Sequence, residues 1–244
     1  MTRATYDELA AAVASRRWED ARDLLARGAE GDAELLTRAC DVVEPHPAKV
    51  EVVRALCAQL DPDECAPGQP APISLAAGNG DLEVVRAMLE SGACTEPWEE
   101  GGFRGPLHRA VVAGRLEVVR LLLAHKADVD LLDWRDQTPL NAAMPNLPSE
   151  AMLLTLIEAG ADLAHVPPPD YVDEPMPPLL ALVTHELWGR PNLGDALPRV
   201  VAAMVAAGAD PDLPGPDGRT ARSHAASKGR EDLFPAPPRD TEPA

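Results

Sequence analysis

Histidines at 46, 108, 125, 165, 185 and 224 and cysteines at 40, 57, 65 and 94 are the side chains of this chain best suited to metal binding, proton transfer or nucleophilic attack. Each of those chemistries imposes a spacing. A zinc site needs paired ligands a few residues apart, and a calcium loop needs alternating carboxylates closed by a glutamate. Neither pattern occurs here, so no metal is expected. A catalytic serine elbow, a phosphate-binding loop and a dinucleotide fingerprint are also missing, and Gly101-Gly102 belongs to a connecting loop. Glutamates at 19, 51, 83 and 117 resemble a carboxylate ladder. Their regular recurrence fits a favoured position near helix starts, on a solvated face, better than acid–base work. The sequence therefore predicts no enzyme and no cofactor.

Composition narrows the function classes further. The 244 residues carry 22 Lys and Arg against 40 Asp and Glu, a net charge of −18. Such a balance repels phosphate backbones and anionic lipid surfaces, which disfavours nucleic-acid and membrane partners. Hydrophobic residues make up 45% of the chain, enough for a sizeable core and too many for a disordered protein. Aromatics are only 3%, while 17 Gly and 26 Pro interrupt the chain often, so the core must be aliphatic and the elements short. The longest apolar run covers residues 200–209, and Asp7 and Glu8 stand where a secretory leader would be apolar. Four cysteines without paired spacing read as reduced thiols, so a cytoplasmic protein is expected.

The elements that position these residues follow a repeat. Leu82-Glu83-Val84-Val85-Arg86-Ala87-Met88-Leu89 recurs 34 residues later as Leu116-Glu117-Val118-Val119-Arg120-Leu121-Leu122-Leu123. The frame continues upstream at Val50 to Cys57 and Trp18 to Leu25, and downstream at Met152 to Ile157 and Val200 to Val205. Gly28, Gly92, Gly160 and Gly208 follow these segments, with Lys126 in the equivalent place, where a left-handed residue ends a helix. A second pattern precedes them: Pro72-Ile73-Ser74-Leu75-Ala76-Ala77, Pro106-Leu107-His108-Arg109-Ala110-Val111 and Thr138-Pro139-Leu140-Asn141-Ala142-Ala143. Motif, period and terminal glycine together resemble the ankyrin repeat, whose units of about 33 residues carry T-P-L-H-x-A. With degenerate copies included, the resemblance covers residues 5–234.

This resemblance implies an all-α ankyrin-repeat solenoid of about six helix-turn-helix units with hairpin-like connecting loops. The expected units are 5–33, 34–65, 66–99, 100–133, 134–213 with insertions, and 214–234 as a truncated cap, followed by a disordered tail at 235–244. Ala12, Ala39, Ala76, Ala110, Ala143 and Ala225 align where a small side chain lets first helices stack. Trp18 aligns with Leu82 and Leu116, Cys57 with Leu25, Leu89 and Leu123, and Cys40 with Val111, so all three are expected in the core. His108 is the motif histidine, for which the resemblance implies a structural hydrogen bond. Extra residues at 44–47 predict a local bulge, and longer stretches at 167–175 and 187–194 make the fifth unit distinctive.

The resemblance also implies where recognition occurs, since the loops of ankyrin arrays project as fingers beside the exposed, concave face of the first helices. The fingers here hold Trp98, Glu99, Glu100, Phe103 and Arg104, then Trp134, Arg135 and Gln137; Tyr171 and Trp188 lie in the fifth-unit insertions. Trp and Arg are the residue types enriched at interface hot spots, which makes these ten the candidate partner-binding residues. The competing reading is that Trp98 and Trp134 only cover the base of their hairpins. The expected function is a monomeric, non-catalytic scaffold that binds another protein. The alternative is an acidic inhibitor or immunity protein that caps a basic toxin or enzyme, steered by its charge.

Overall fold

The computed structural model describes residues 5–97, 104–146, 148–170, 175–187 and 192–234. Among them the regular structure is helical throughout, as short helices α1 (Tyr6–Ala14), α2 (Trp18–Ala26), α3 (Ala33–Asp41), α4 (Pro47–Cys57), α5 (Pro72–Asn79), α6 (Leu82–Glu90), α7 (Pro106–Val112) and α8 (Leu116–Ala124). Then come α9 (Pro139–Ala143), α10 (Glu150–Glu158), α11 (Pro178–Leu187), α12 (Leu197–Ala206) and α13 (Ala221–Ser227). They fall into two compact units, Met1–Trp134 and Arg135–Ala244.

In the first unit, first helices stack on first helices (α1 on α3, α3 on α5, α5 on α7) and second helices on second (α2 on α4, α4 on α6, α6 on α8). The aligned alanines make this possible: Ala12, Ala39, Ala76 and Ala110 are all fully buried. Paired apolar residues such as Val84 with Val85 and Val118 with Val119 fill the seam, each burial contributing roughly 1.5–3 kcal/mol. Trp18 lies in this core, as its alignment predicts.

Every second helix except α4 ends in the same way. The amides of Ala29, Ala93, Ala127, Ala161 and Ala209 donate to the carbonyls of Leu24, Met88, Leu122, Leu156 and Met204 at 2.9–3.1 Å. That closure needs one left-handed residue, supplied by Gly28, Gly92, Gly160 and Gly208 and, after α8, by Lys126 at φ 66°. Starts are equally local. Proline opens α4, α5, α7 and α9, and Thr138 Oγ1 accepts the Asn141 amide at 3.2 Å.

The stretch 134–213, expected as one enlarged unit, contains two helix pairs, α9 with α10 and α11 with α12. Pro145 and Pro148 cut the first helix of the earlier pair short, leaving a 3-10 turn at Met144–Asn146, and the long connection 159–177 stretches the period before Pro178 restarts it. The bulge in the second unit is present at 42–46, and α4 begins early at Pro47, capped by His46 Nδ1 accepting the Ala48 amide. At the far end α13 is followed by a 3-10 turn, Glu231–Leu233, in place of a second helix. The expected tail at 235–244 lies outside the described residues.

Candidate protein-binding surface

The side chains with chemical potential have structural places. Cys40 is fully buried with its Sγ 3.6 Å from Met88 Sδ, and burial pushes its thiol far above the ordinary range. Burial likewise pushes the Cys57 thiol up to about 11, which leaves both as apolar filling at neutral pH. His108 is buried in α7, and Ser74 and Asn141 occupy its place in α5 and α9. In the second unit Asn141 Nδ2 donates to the His165 carbonyl at 3.2 Å, and His165 Nε2 lies 2.7 Å from the Asp136 carbonyl, so this motif position ties a helix start to the next connection. No group of three or more His, Cys, Asp or Glu among the described residues has a geometry that would hold a metal ion.

The connecting loops of the first unit are braced by their own carboxylates. Asp63 accepts the Cys94 amide at 2.9 and 3.1 Å, and Glu96 Oε1 accepts the Asp128 amide at 2.7 Å, so each loop is fastened to the next. Burial is the main reason the Asp63 carboxyl lies above its usual range. The loop 125–134 is tightened again where Asp128 Oδ1 accepts the Asp130 amide at 2.9 Å. Its extended end alternates: the Asp133 side chain is buried, while Leu132 at 48% and Trp134 at 52% exposure stand in solvent. Asp133 meets Arg104, whose Nε donates to Oδ2 at 3.0 Å.

Of the sequence candidates in this unit, Trp134 is exposed as expected. Arg104 is partly buried and ties its own loop to the next through Asp133. Trp98, Glu99, Glu100 and Phe103 lie outside the described residues. In the second unit Arg135 is exposed, whereas Gln137 is buried, because Asp136 at φ 53° turns the chain inward just before the Thr138 cap. Tyr171 and Trp188 lie outside the described residues. Glu186, a buried carboxylate, accepts the amides of Asn192 and Leu193 at 3.0–3.2 Å.

Three features escape sequence reading. A groove of about 330 Å³ lies between α3, the loop 58–71 and α5, lined by Glu34, Arg38, Asp41, Gln69 and Leu75 among others. Lys49 is fully buried; its Nζ donates to the Val42 carbonyl and to Asp81 Oδ2 at 2.7 Å, joining α4 to the cap of α6. Leu132 is the third, and its signal was present as an apolar pair, Leu131-Leu132, inside an acidic loop.

Stacked helix pairs, buried small residues and braced loops define a repeat protein of the helical class. The family profile described as Ankyrin repeats (3 copies) matches residues 36–133 and 73–166, together more than half of the chain. The chain belongs to the ankyrin repeat family, whose domains are generally protein–protein interaction modules. It is 33% identical over 113 residues to human Ankyrin repeat domain-containing protein 37, covering 46% of this chain and 69% of that protein. It is 43% identical over 61 residues to human 2-5A-dependent ribonuclease, covering 25% of this chain and 8% of that protein, so it spans a small fraction of that relative's length. The solved ankyrin repeat domain of Bcl-3, a member of the IkappaB protein family, superposes with a TM-score of 0.69 at 24% identity, over 93% of this chain and 96% of that one. At that identity the likeness concerns the fold.

Proposed function

We propose that this chain is a non-catalytic scaffold that binds another protein through its connecting loops and the exposed face of its first helices. The observation that carries this reading is the loop 125–134: backbone and side-chain hydrogen bonds fix its course, yet two large apolar residues, Leu132 and Trp134, stand exposed. A rigid loop presenting an aromatic side chain binds with little ordering cost. The groove beside α3 and α5 adds a second, polar contact region on the first-helix face. Cys40 and Cys57 pack in the core, and His46 and His165 serve helix starts and loop closure, which supports a function without chemistry. Among the described residues no helix is long and apolar enough to cross a membrane. The protein acts in the cytoplasm as a monomer, on this reading, and needs no cofactor.

Trp134→Ala and, separately, Arg38→Ala with Asp41→Ala test it. Each is expected to weaken binding of the partner that co-purifies with the full chain while leaving the melting temperature nearly unchanged. Full binding by both variants would remove the loops and groove as the interface. The −18 charge favours a second, narrower reading in which that partner is a basic toxin or enzyme held inactive. Its association rate should then fall as salt rises, and a salt-independent rate would exclude it.

A further inference from the structure

The negative charge of the first unit is unevenly placed. Its four connecting segments, 27–32, 58–71, 91–105 and 125–134, hold eleven acidic residues against three Lys or Arg, a net of −8. The remainder of Met1–Trp134, helices and tight turns, holds thirteen against eleven, a net of −2. The structure gives the physical reason for the difference. Carboxylates on helices meet arginines: Glu34 with Arg38, Glu51 with Arg22, Glu83 with Arg86, Glu90 with Arg54, Glu117 with Arg120. Several carboxylates in the loops accept backbone amides, as Asp61, Asp63, Glu96 and Asp128 do. An amide hydrogen bond fixes a carboxylate without neutralising it, so the loop edge keeps its charge. Asp133 instead meets Arg104, and its inward turn leaves Leu132 and Trp134 exposed on either side of it.

We propose that the loop 125–134 docks a basic peptide segment of the partner, with Leu132 and Trp134 holding an apolar side chain of that segment and the loop carboxylates facing its flanking Lys or Arg residues. This inference rests on the interaction-scaffold reading and specifies the partner's chemistry. Apolar contact alone would accept any exposed hydrophobic residue. The surrounding field, carried by Asp128 on this loop and by Glu96 and Asp63 on the loops fastened to it, penalises an acidic segment and draws in a basic one. Arg104 and Asp133 act as positioning residues for the pair.

The test is a selection from a random-dodecapeptide phage library on the immobilised full-length protein, repeated on Leu132→Ser with Trp134→Ser and on Arg38→Ala with Asp41→Ala. The proposal expects peptides enriched in Lys and Arg around one aromatic or aliphatic residue, and at least a tenfold loss of their affinity in the Leu132/Trp134 variant. Circular dichroism melting verifies that both variants stay folded; should the double serine variant melt early, Trp134→Ala alone takes its place. Basic peptides that bind the Leu132/Trp134 variant as well as the native protein overturn the docking site. Enrichment of neutral or acidic peptides that depend on Arg38 and Asp41 also overturns it, and leaves the scaffold reading standing. A library that yields nothing above a blank surface counts against both.

Discussion

Lys49 carries a charge into a place with no water, and its replacement gives a measurable coupling. Its side chain has 0% exposure and that of Asp81 has 14%, with Nζ and Oδ2 2.7 Å apart. Lys49→Met keeps the stem but removes the ammonium, leaving the Asp81 carboxylate with its capping bond to the Val84 amide (3.3 Å) and stranding the Val42 carbonyl. Breaking a buried pair from one side costs about 3–5 kcal/mol, because the surviving charge stays desolvated. Asp81→Asn, which retains a capping oxygen, should cost a similar amount by stranding the ammonium. The double variant removes both charges at once, so its cost should fall short of the sum of the single costs by roughly 1–3 kcal/mol. Urea denaturation followed by circular dichroism measures all three. Additive costs would refute the argument, since they would mean that the two charges do not compensate one another across the repeat junction.

Leu122, fully buried in α8, should cost about 2–5 kcal/mol as Leu122→Ala, read from the urea midpoint. Lys126→Gly should stabilise by about 1 kcal/mol, because Lys126 holds φ 66° where four other copies have glycine (Gly28, Gly92, Gly160 and Gly208); a lower melting temperature would contradict this. Burial, with Lys228 and Arg219 nearby, holds the His224 imidazolium below its ordinary range. The unfolded chain therefore takes up this proton first, and stability falls as pH drops below the ordinary histidine value of about 6.5. His224→Gln should flatten that part of the melting-temperature profile, and an unchanged slope would assign the loss elsewhere.

The helices and their stacking were legible in the sequence because each repeat writes the same physical requirements again. An alanine at the stacking site, a proline or threonine at the start and a glycine after the end are all local signals. Repeat boundaries were less legible: the 34-residue period fails between 144 and 178, where prolines truncate α9 and a long connection intervenes, and two helix pairs merged into one expected unit. The surface was read in part. Trp134 and Arg135 are exposed, as their place in a loop suggests, but Arg104 and Gln137 are drawn inward by Asp133 and by the turn at Asp136. Those displacements depend on partners in the neighbouring loop or on one backbone angle. Lys49 and Asp81, 32 residues apart in sequence, pair for the same reason, and no single repeat reveals it.

The central claim is that exposed loop residues carry recognition while buried helix residues carry stability. The most direct measurement is the dissociation constant of the co-purifying partner for Trp134→Ala, taken beside the melting temperature of the same sample. A rise in Kd of about thirtyfold, equivalent to roughly 2 kcal/mol, with a melting temperature shifted by no more than about 2 °C, is the result expected. An unchanged Kd, or a loss of binding that merely follows a collapse in melting temperature, would contradict the account and return Trp134 to the role of a loop cover.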